Sequence, residues 1–427
     1  MSVIQVFGLT PLKGEISIQG SKNAVLPMMA AALLHKGVTV LTNVPDLLDV
    51  SSMVDILESL GCRCLRRGDC MVIDARNIDG TEIPRKYVSA MRSSIIVLGA
   101  LLGRMGEGSS CYPGGCLIGA RPIDLHLMVL KELGAEIHEE DGWLRVRCGD
   151  GRSLKGAEIH LSYPSVGATE QAVLASVLAR DVTVIHGAAM EPEIEQLCRF
   201  LNNMGAVICG MGTDHLMVQG VTELHDSCFQ VEGDRIVAGT YGAAAAAAGG
   251  RVFLRGVRPS LLKLPLAMLE QAGAAVRTEE QSCRIEISVS ERPKTLDIKT
   301  GPYPAFPTDL QSPFMAFLSV GQGVSRIEER VFEKRFATAE ALKKMGALIE
   351  QKDRTALIRG SWPLKGAEVE ASDLRGGAAL AVAALAAEGE TRISRCRYVS
   401  RGYEDICRDL SALGAHIRWL SPKEAES

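Results

Sequence analysis

A short phrase that recurs six times constrains the fold of this chain more than any other feature of its 427 residues. In each copy a helical pattern ends on a glycine, and a strand pattern follows at once. Successive glycines stand 68 to 73 residues apart, at Gly61, Gly134, Gly205, Gly273, Gly346 and Gly414. Glycine at this place is typical of a helix that ends in the left-handed conformation. The spacing therefore predicts six copies of one unit of about 70 residues.

A second landmark, a helical pattern made of small residues, begins 37 to 42 residues before each of these glycines. The first of these helices reads GSKNAVLPMMAAALL and the fourth reads DRIVAGTYGAAAAAAGG. Because a helix this rich in Ala and Gly is apolar on nearly every side, the pattern favours burial at the centre of a layered domain. Six units exceed what one core holds, so we expect two domains of three units, each with buried helices wrapped by sheets.

A polar or charged residue opens each small-residue helix: Lys22, Arg92, Ser165, Arg235, Asp309 and Arg375. Unpaired N–H groups and the helix dipole favour anions at a helix start. Four of the six openers are Lys or Arg, whose charge opposes the dipole and therefore needs a negative partner. If the six starts converge on one cleft, that cleft binds a multiply charged anion. A duplicated scaffold with no shared site is the alternative.

Composition excludes several other classes of function. Lys and Arg total 47 against 51 Asp and Glu, so no overall basic field attracts nucleic acid or an anionic membrane. Nine Phe, seven Tyr and three Trp are too few for platforms that stack single-stranded bases. The twelve Cys include no CxxC and no histidines clustered near them in sequence, so we expect no metal site. Without a leader or a long apolar run, we expect a cytoplasmic protein with reduced thiols.

Eight short strings occur along the chain in this order: GSKNA, PGGCLIGARPIDLH, PSVGATE, DRIVAGTY, PYPAFPTDLQ, FEKRF, DLRGGAAL and RGYE. In these strings the chain resembles the UDP-N-acetylglucosamine enolpyruvyl (1-carboxyvinyl) transferases of the EPSP synthase superfamily, from Gly8 to Leu420. The resemblance implies an α/β fold, a two-domain inverted (inside-out) α/β barrel with six βαβαββ-type repeats, three per domain. It implies an N-terminal domain of residues 22–233 on the UDP-sugar side, which carries a mobile cysteine loop. Residues 1–21 plus 234–427 would form the C-terminal domain, with the active site in the cleft between the two.

The implied reaction moves the enolpyruvyl group of phosphoenolpyruvate to the 3'-hydroxyl of UDP-N-acetylglucosamine and releases phosphate, by addition and elimination through a tetrahedral intermediate. In the family this is the first committed step of peptidoglycan precursor synthesis. The resemblance implies two small-molecule substrates, with no cofactor, no metal, no nucleic acid and no membrane.

The strings also carry the family's functional residues onto this chain. Phosphoenolpyruvate would be bound by Lys22, Asn23, Arg121, Arg335, Arg375 and Arg401. The UDP-sugar would be bound by Arg92, Arg121, Pro122, Ile123, Asp124, Leu125, Ser165, Val166, Gly167, Asp309 and Val331. The catalytic residues would be Cys116, Lys22, Asp309, Asp373 and Arg401.

Elementary chemistry fits several of these assignments. Arginine suits phosphate because its planar fork donates two hydrogen bonds at once. In the family Cys116 protonates the methylene carbon of phosphoenolpyruvate, and the nearby Arg121 would favour its thiolate form. Asp309 would bind and deprotonate the attacking hydroxyl, with Asp373 in support; the sequence leaves open which of the two takes the proton. The chain departs from the family at Lys334, Tyr398 and Ser400, close to two of the arginines.

Three other readings compete with this one. EPSP synthase shares the architecture, but the PGGC loop and the ARPIDLH string argue against it, since a shikimate enzyme holds no nucleotide. A paralogue that binds the UDP-sugar without turnover is the second. A nucleotide-dependent oxidoreductase, suggested by the glycines of CGMGTDH, fails because those glycines lie between two strand patterns with no helix after them.

Fosfomycin, an epoxide that mimics phosphoenolpyruvate, should alkylate Cys116 once, as the resemblance implies. Peptide mass spectrometry should show a single adduct on this residue, and Cys116→Ser should remove it while Cys111→Ser leaves it in place. An adduct on another cysteine, or none, would contradict the assignment of Cys116.

Overall fold

The computed structural model of the chain describes residues 2–113, 119, 122–149, 153–421 and 424. These residues form two compact units. The terminal unit holds the described residues up to Gln19, Gly119, and the described residues from Gly233 onward, and the inserted unit holds the described residues of 20–113 and 122–232. No helix in the described part of the chain is both long enough and apolar enough to cross a membrane.

The helices within the described ranges are α1 (Lys22–Ala31), α2 (Leu48–Ser59), α3 (Arg85–Ala90), α4 (Val97–Met105), α5 (Asp124–Glu132), α6 (Val166–Ser176), α7 (Pro192–Asn203), α8 (Arg235–Ala248), α9 (Lys263–Gln271), α10 (Gln311–Leu318), α11 (Thr338–Lys344), α12 (Leu374–Ala384) and α13 (Ile406–Ala412). Short 3-10 helices cover Ala32–Leu34, Arg92–Ile96, Pro259–Leu262, Thr308–Leu310, Arg335–Ala337 and Cys396–Arg401.

The strands within the same ranges are β1 (Val3–Phe7), β2 (Leu12–Ser17), β3 (Val38–Thr42), β4 (Arg63–Arg67), β5 (Cys70–Asp74), β6 (Glu107–Cys111), β7 (Ala135–Glu140), β8 (Trp143–Cys148), β9 (Glu158–His160), β10 (Val182–His186), β11 (Val207–Cys209), β12 (His215–Gln219), β13 (Ser227–Gln230), β14 (Gly250–Arg255), β15 (Ala275–Glu279), β16 (Arg284–Val289), β17 (Asp297–Lys299), β18 (Val324–Glu328), β19 (Leu348–Lys352), β20 (Thr355–Arg359), β21 (Leu364–Lys365), β22 (Glu368–Glu370), β23 (Ala387–Glu388), β24 (Glu390–Ser394) and β25 (His416–Leu420).

Each unit has its own set of sheets. In the inserted unit the strand orders are β13-β3-β5-β4, β6-β8-β7 and β11-β12-β10-β9. In the terminal unit they are β22-β24-β1-β25, β15-β16-β14-β2, β17-β18-β20-β19 and the small β21-β23. The predicted two-part α/β fold is confirmed. Over the described residues each sheet has two free ends and shares no strand with another sheet, so none of them closes into a barrel.

The first two strands belong to sheets whose other members come much later in the chain. Strand β1 lies between β24 and β25 and is antiparallel to both, while β2 lies parallel to β14. The side chain of Gln5 donates to Glu390 Oε1 at 2.6 Å, across 385 positions of sequence. The start of the chain therefore completes two sheets of the terminal unit.

The small-residue helices α1, α4, α6, α8, α10 and α12 are buried, as the sequence predicted. Every residue of α8 from Arg235 to Ala247 is buried, and α8, α10 and α12 contact one another. A side chain at Gly239 of α8 would place its Cβ 2.5 Å from Leu310 Cδ1. Glycine at this position therefore permits a close approach that alanine would block.

The six repeat glycines confirm the predicted helix ends. Each has a positive φ, between 86° and 103°. This left-handed backbone turns the chain from the last helical turn into the next strand at little cost only when no Cβ is present.

Gly346 isolates this backbone effect, because nothing lies within 4 Å of where its Cβ would be. Gly346→Ala should therefore destabilise the protein by roughly 1–2 kcal/mol through the left-handed conformation alone. Gly346→Asn should cost less, since asparagine tolerates this conformation. The shift in the urea midpoint of the three proteins measures the difference; equal midpoints for the wild type and the alanine variant would contradict it.

Candidate active site

A carboxylate held between two buried arginines is the centre of the candidate site in the terminal unit. Asp309 lies in the 3-10 helix that leads into α10. Its Oδ2 accepts a hydrogen bond from Arg375 Nη2 at 2.9 Å, and its Oδ1 accepts one from Arg335. The side chains of both arginines are 3% exposed, whereas that of Asp309 is 28% exposed. The Asp309 carboxylate is thus held by two buried arginines, while part of its side chain remains accessible to solvent.

Arg375 remains charged although it is buried. Burial by itself would lower the pKa of its guanidinium, but the negative charge of Asp309 raises that pKa above its ordinary value. Its Nη1 donates to Tyr403 Oη at 3.4 Å, and Tyr403 Oη lies 2.8 Å from Thr240 Oγ1 of α8. Through these contacts Arg375 of α12 is linked both to α8 and to the turn before α10.

Asp373 caps the helix that carries Arg375. Its Oδ1 accepts from the backbone N–H groups of Arg375 at 2.9 Å and Gly376 at 3.1 Å, and its Oδ2 accepts from Ser372 Oγ at 2.9 Å. A Cβ on Gly376 would lie 2.4 Å from Ser372 Oγ, so a side chain at this position would displace the hydroxyl that donates to Asp373. These hydrogen bonds give Asp373 a structural role at the start of α12.

Glu329 is a site residue that sequence reasoning missed. Its side chain is buried just after β18, and the residue is 1% exposed. Oε1 accepts from the backbone N–H groups of Val331 at 2.8 Å and Phe332 at 3.0 Å, while Oε2 accepts from Thr308 Oγ1 at 2.9 Å. Glu329 therefore ties the Val331 segment to the residue before Asp309. Nothing in the charged string around Glu329 marks it as the buried member.

Val331 and Arg401 lie in segments that adjoin this cluster. Val331 is fixed through its backbone by Glu329. Arg401 ends the 3-10 helix Cys396–Arg401, is half-buried, and stands two positions before Tyr403. The structure thus brings Asp309, Arg335 and Arg375 into direct contact and places the other predicted residues of this unit on neighbouring turns.

In the inserted unit, Lys22 is the first residue of α1 and forms an ion pair with Asp49 of α2. The distance from Lys22 Nζ to Asp49 Oδ2 is 2.7 Å, and the side chains are 13% and 5% exposed. The sequence predicted that a basic residue at this helix start needs a negative partner, and in the structure Asp49 is that partner. Asn23 follows as the second residue of α1 and is half-buried.

The predicted nucleotide-binding residues gather at the starts of α5 and α6. Arg92 Nη2 donates to the carbonyl of Pro122 at 3.2 Å, just before α5. Ser165 caps α6 by accepting from Ala168 N at 3.4 Å. A Cβ on Gly167 would lie 2.9 Å from two ring atoms of His126 of α5, so α5 and α6 meet closely at this glycine.

Some of the remaining predicted residues lie at the same two helix starts, and others fall outside the described part of the chain. Ile123, Asp124 and Leu125 form the cap and first residues of α5, and Val166 is the first residue of α6. Cys116 and Arg121 lie outside the described residues.

Comparison with known proteins decides the family. The family model described as EPSP synthase (3-phosphoshikimate 1-carboxyvinyltransferase) matches residues 6–410. The chain belongs to the EPSP synthase family. Within this family it is 45% identical over 418 residues to UDP-N-acetylglucosamine 1-carboxyvinyltransferase 2 of Caldanaerobacter subterraneus subsp. tengcongensis, covering 98% of this chain and 99% of that one. It is also 45% identical over 419 residues, with the same coverage, to the UDP-N-acetylglucosamine 1-carboxyvinyltransferase of Cellvibrio japonicus.

Two solved structures agree with this fold. The enolpyruvyl transferase NikO from Streptomyces tendae matches with a TM-score of 0.87 at 22% identity, over 99% of both chains. EPSP synthase from Acinetobacter baumannii matches with a TM-score of 0.74 at 18% identity, over 99% of this chain and 100% of that one. The resemblance stated from the eight strings is therefore confirmed at the level of family and fold.

Replacement of Glu329 tests its place in this family member. Glu329→Ala should leave two half-buried backbone N–H groups and one half-buried hydroxyl without their acceptor, at roughly 1–3 kcal/mol for each group that finds no other partner. Thermal unfolding should show a clear loss of stability. The matched control is Glu328→Ala, whose partners Arg326 and Arg330 are surface arginines and which should change stability little. Equal losses of thermal stability in the two variants would contradict the structural role assigned to Glu329.

Proposed function

We propose that this protein transfers the enolpyruvyl group of phosphoenolpyruvate to the 3'-hydroxyl of UDP-N-acetylglucosamine and releases phosphate, the first committed step of peptidoglycan precursor synthesis. The observation that carries the proposal is the 45% identity, over nearly the whole chain, to relatives named for 1-carboxyvinyl transfer to UDP-N-acetylglucosamine. The charge cluster around Asp309 supports it, because this cluster combines an accessible carboxylate with donors for an anionic substrate.

In this proposal Asp309 takes the proton of the attacking hydroxyl. The hydroxyl oxygen bonds to C2 of phosphoenolpyruvate as its proton passes to the carboxylate, and the methylene carbon C3 gains a proton from Cys116. In the second half C3 loses a proton, the C2–O bond to phosphate breaks, and phosphate leaves with the bonding electrons. A carboxylate is a weak base, so proton transfer accompanies formation of the C–O bond. Asp373 positions the start of α12 and acts indirectly.

Arg335 and Arg375 have two roles in this scheme. In the structure one nitrogen of each arginine, Nη2, donates to Asp309. The phosphate and carboxylate of phosphoenolpyruvate compete for the same guanidinium donors. As the substrate draws these donors away, the Asp309 carboxylate loses hydrogen bonds to the two arginines. Binding of one substrate thus changes the contacts of the group that activates the other.

Further basic residues serve the anionic substrates in this proposal. Lys22, Arg121 and Arg401 add positive charge for phosphoenolpyruvate, and fixed cations of this kind stabilise charge that develops in the transition state. Arg92 and the backbone N–H groups at the starts of α5 and α6 bind the UDP-sugar. Ser165, Val166 and Gly167 then face its pyrophosphate, for which a helix start is suited.

The EPSP synthase reaction is the second candidate. The description of the matching family names 3-phosphoshikimate as the acceptor, and a protein with that activity shares the fold. The two candidates use the same donor and release the same product, so only the acceptor distinguishes them.

A phosphate-release assay with each acceptor tests the proposal. Phosphate should appear from phosphoenolpyruvate when UDP-N-acetylglucosamine is present and not when shikimate 3-phosphate replaces it. Release with shikimate 3-phosphate alone would establish the second candidate instead. If phosphate is released with neither acceptor, the transfer reaction is excluded. Calorimetry with UDP-N-acetylglucosamine would then test whether the protein binds this sugar nucleotide without turnover.

The role of Asp309 can be tested separately from the choice of acceptor. Asp309→Asn should lower kcat by about 100-fold or more, because the amide cannot accept the proton, while binding of the UDP-sugar measured by calorimetry persists. The control is Asp297→Asn, a surface position on β17 whose partner is the exposed Arg326. A kcat for Asp309→Asn close to that of the wild type would exclude Asp309 as the base.

A further inference from the structure

Three histidines lie side by side on the exposed face of one sheet in the inserted unit. His160 of β9 pairs with His186 of β10, and His186 pairs with His215 of β12. These residues are 26 and 29 positions apart in sequence, so spacing along the chain gave no sign of a cluster. The sequence-based expectation that no metal site exists rested on that spacing and did not consider the register of the strands.

Alternation along the strands determines that the three side chains share a face. The residues next to them, Ile159, Ile185 and Leu216, are buried in the core. Because successive side chains of a strand point to opposite faces, the histidines point away from that core. Glu158 lies two residues before His160 on β9 and therefore belongs to the same outer face.

The donor atoms of three of these side chains converge. Glu158 Oε1 lies 3.0 Å from His186 Nε2 and 3.5 Å from His160 Nε2. The rings of His160 and His186 are stacked, with centroids 4.4 Å apart and an angle of 5° between their planes. One donor atom from each of the three residues lies within 4.8 Å of the other two.

We propose that Glu158, His160 and His186 form a binding site for one divalent transition-metal ion of the zinc and nickel class. Imidazole nitrogen with one carboxylate oxygen is a ligand set that such ions favour. Two ligands of a tetrahedral zinc ion, each at about 2.1 Å, are about 3.4 Å apart, so small side-chain rotations suffice to close the site. Because strand pairing already fixes the backbone of the three ligands, binding of the ion costs little conformational entropy of the backbone.

His215 of the third strand packs beside the three ligands. Its ring packs edge-on against His186 with centroids 5.0 Å apart, and its Nδ1 lies 2.6 Å from Asp214 Oδ1. The ion held by Glu158, His160 and His186 would join β9 and β10 of one sheet.

Calorimetric titration of the full chain, without an added histidine tag, tests the site with nickel chloride under reducing conditions. One ion should bind per chain. The double variant His160→Ala/His186→Ala should lose at least tenfold in affinity, because it removes both nitrogen ligands. Two controls should bind as the wild type does: His416→Ala, which removes an exposed histidine from β25, and Cys209→Ser, which removes an exposed thiol from the same sheet.

A second measurement uses the unaltered chain and so does not depend on the folding of a variant. Diethyl pyrocarbonate modifies accessible imidazoles, and peptide mass spectrometry locates the products. Nickel should protect His160 and His186 from modification while His416 reacts as before. Unchanged affinity in the double variant, or equal modification of His160 and His186 with and without nickel, would overturn the proposal.

Discussion

Close packing of helices made of small residues is the constraint on which the rest of this structure depends. Glycine and alanine leave room for helix axes to approach, as Gly239 does against Leu310. Because these helices are buried along their length, their first turns are the places where the chain brings polar groups to the edge of each core. The positions of Lys22, Arg375 and Ser165 follow from that arrangement.

A buried cation at a helix start needs compensation, and the chain provides it from a second element. Asp49 compensates Lys22, and Asp309 compensates Arg335 and Arg375. Each of these buried basic side chains therefore has a negative partner within its own unit. Under the proposed function, an anionic substrate would exchange one negative partner of these side chains for another.

Sequence reasoning predicted the features that are local in the chain. The helix-ending glycines, the buried small-residue helices and the polar openers each leave a mark within a few residues, and the structure confirms them. Features that depend on which strands and turns meet could not be predicted from one sequence. Glu329 looks like its solvent-facing neighbour Glu328, and the His160–His186 pair exists only because β9 and β10 pair in one particular register. The separation of the sheets likewise depends on strand pairing.

The placement of β1 and β2 among strands from the far end of the chain has a consequence during synthesis. The inserted unit contains strands from one continuous stretch of sequence, so its sheets can assemble once that stretch has left the ribosome. The sheet that holds β1 must wait for β24 and β25, which are translated after the other strands that the structure describes. Until then the β1 segment lacks both of its neighbours, and its backbone N–H and C=O groups have no partner strand in that sheet.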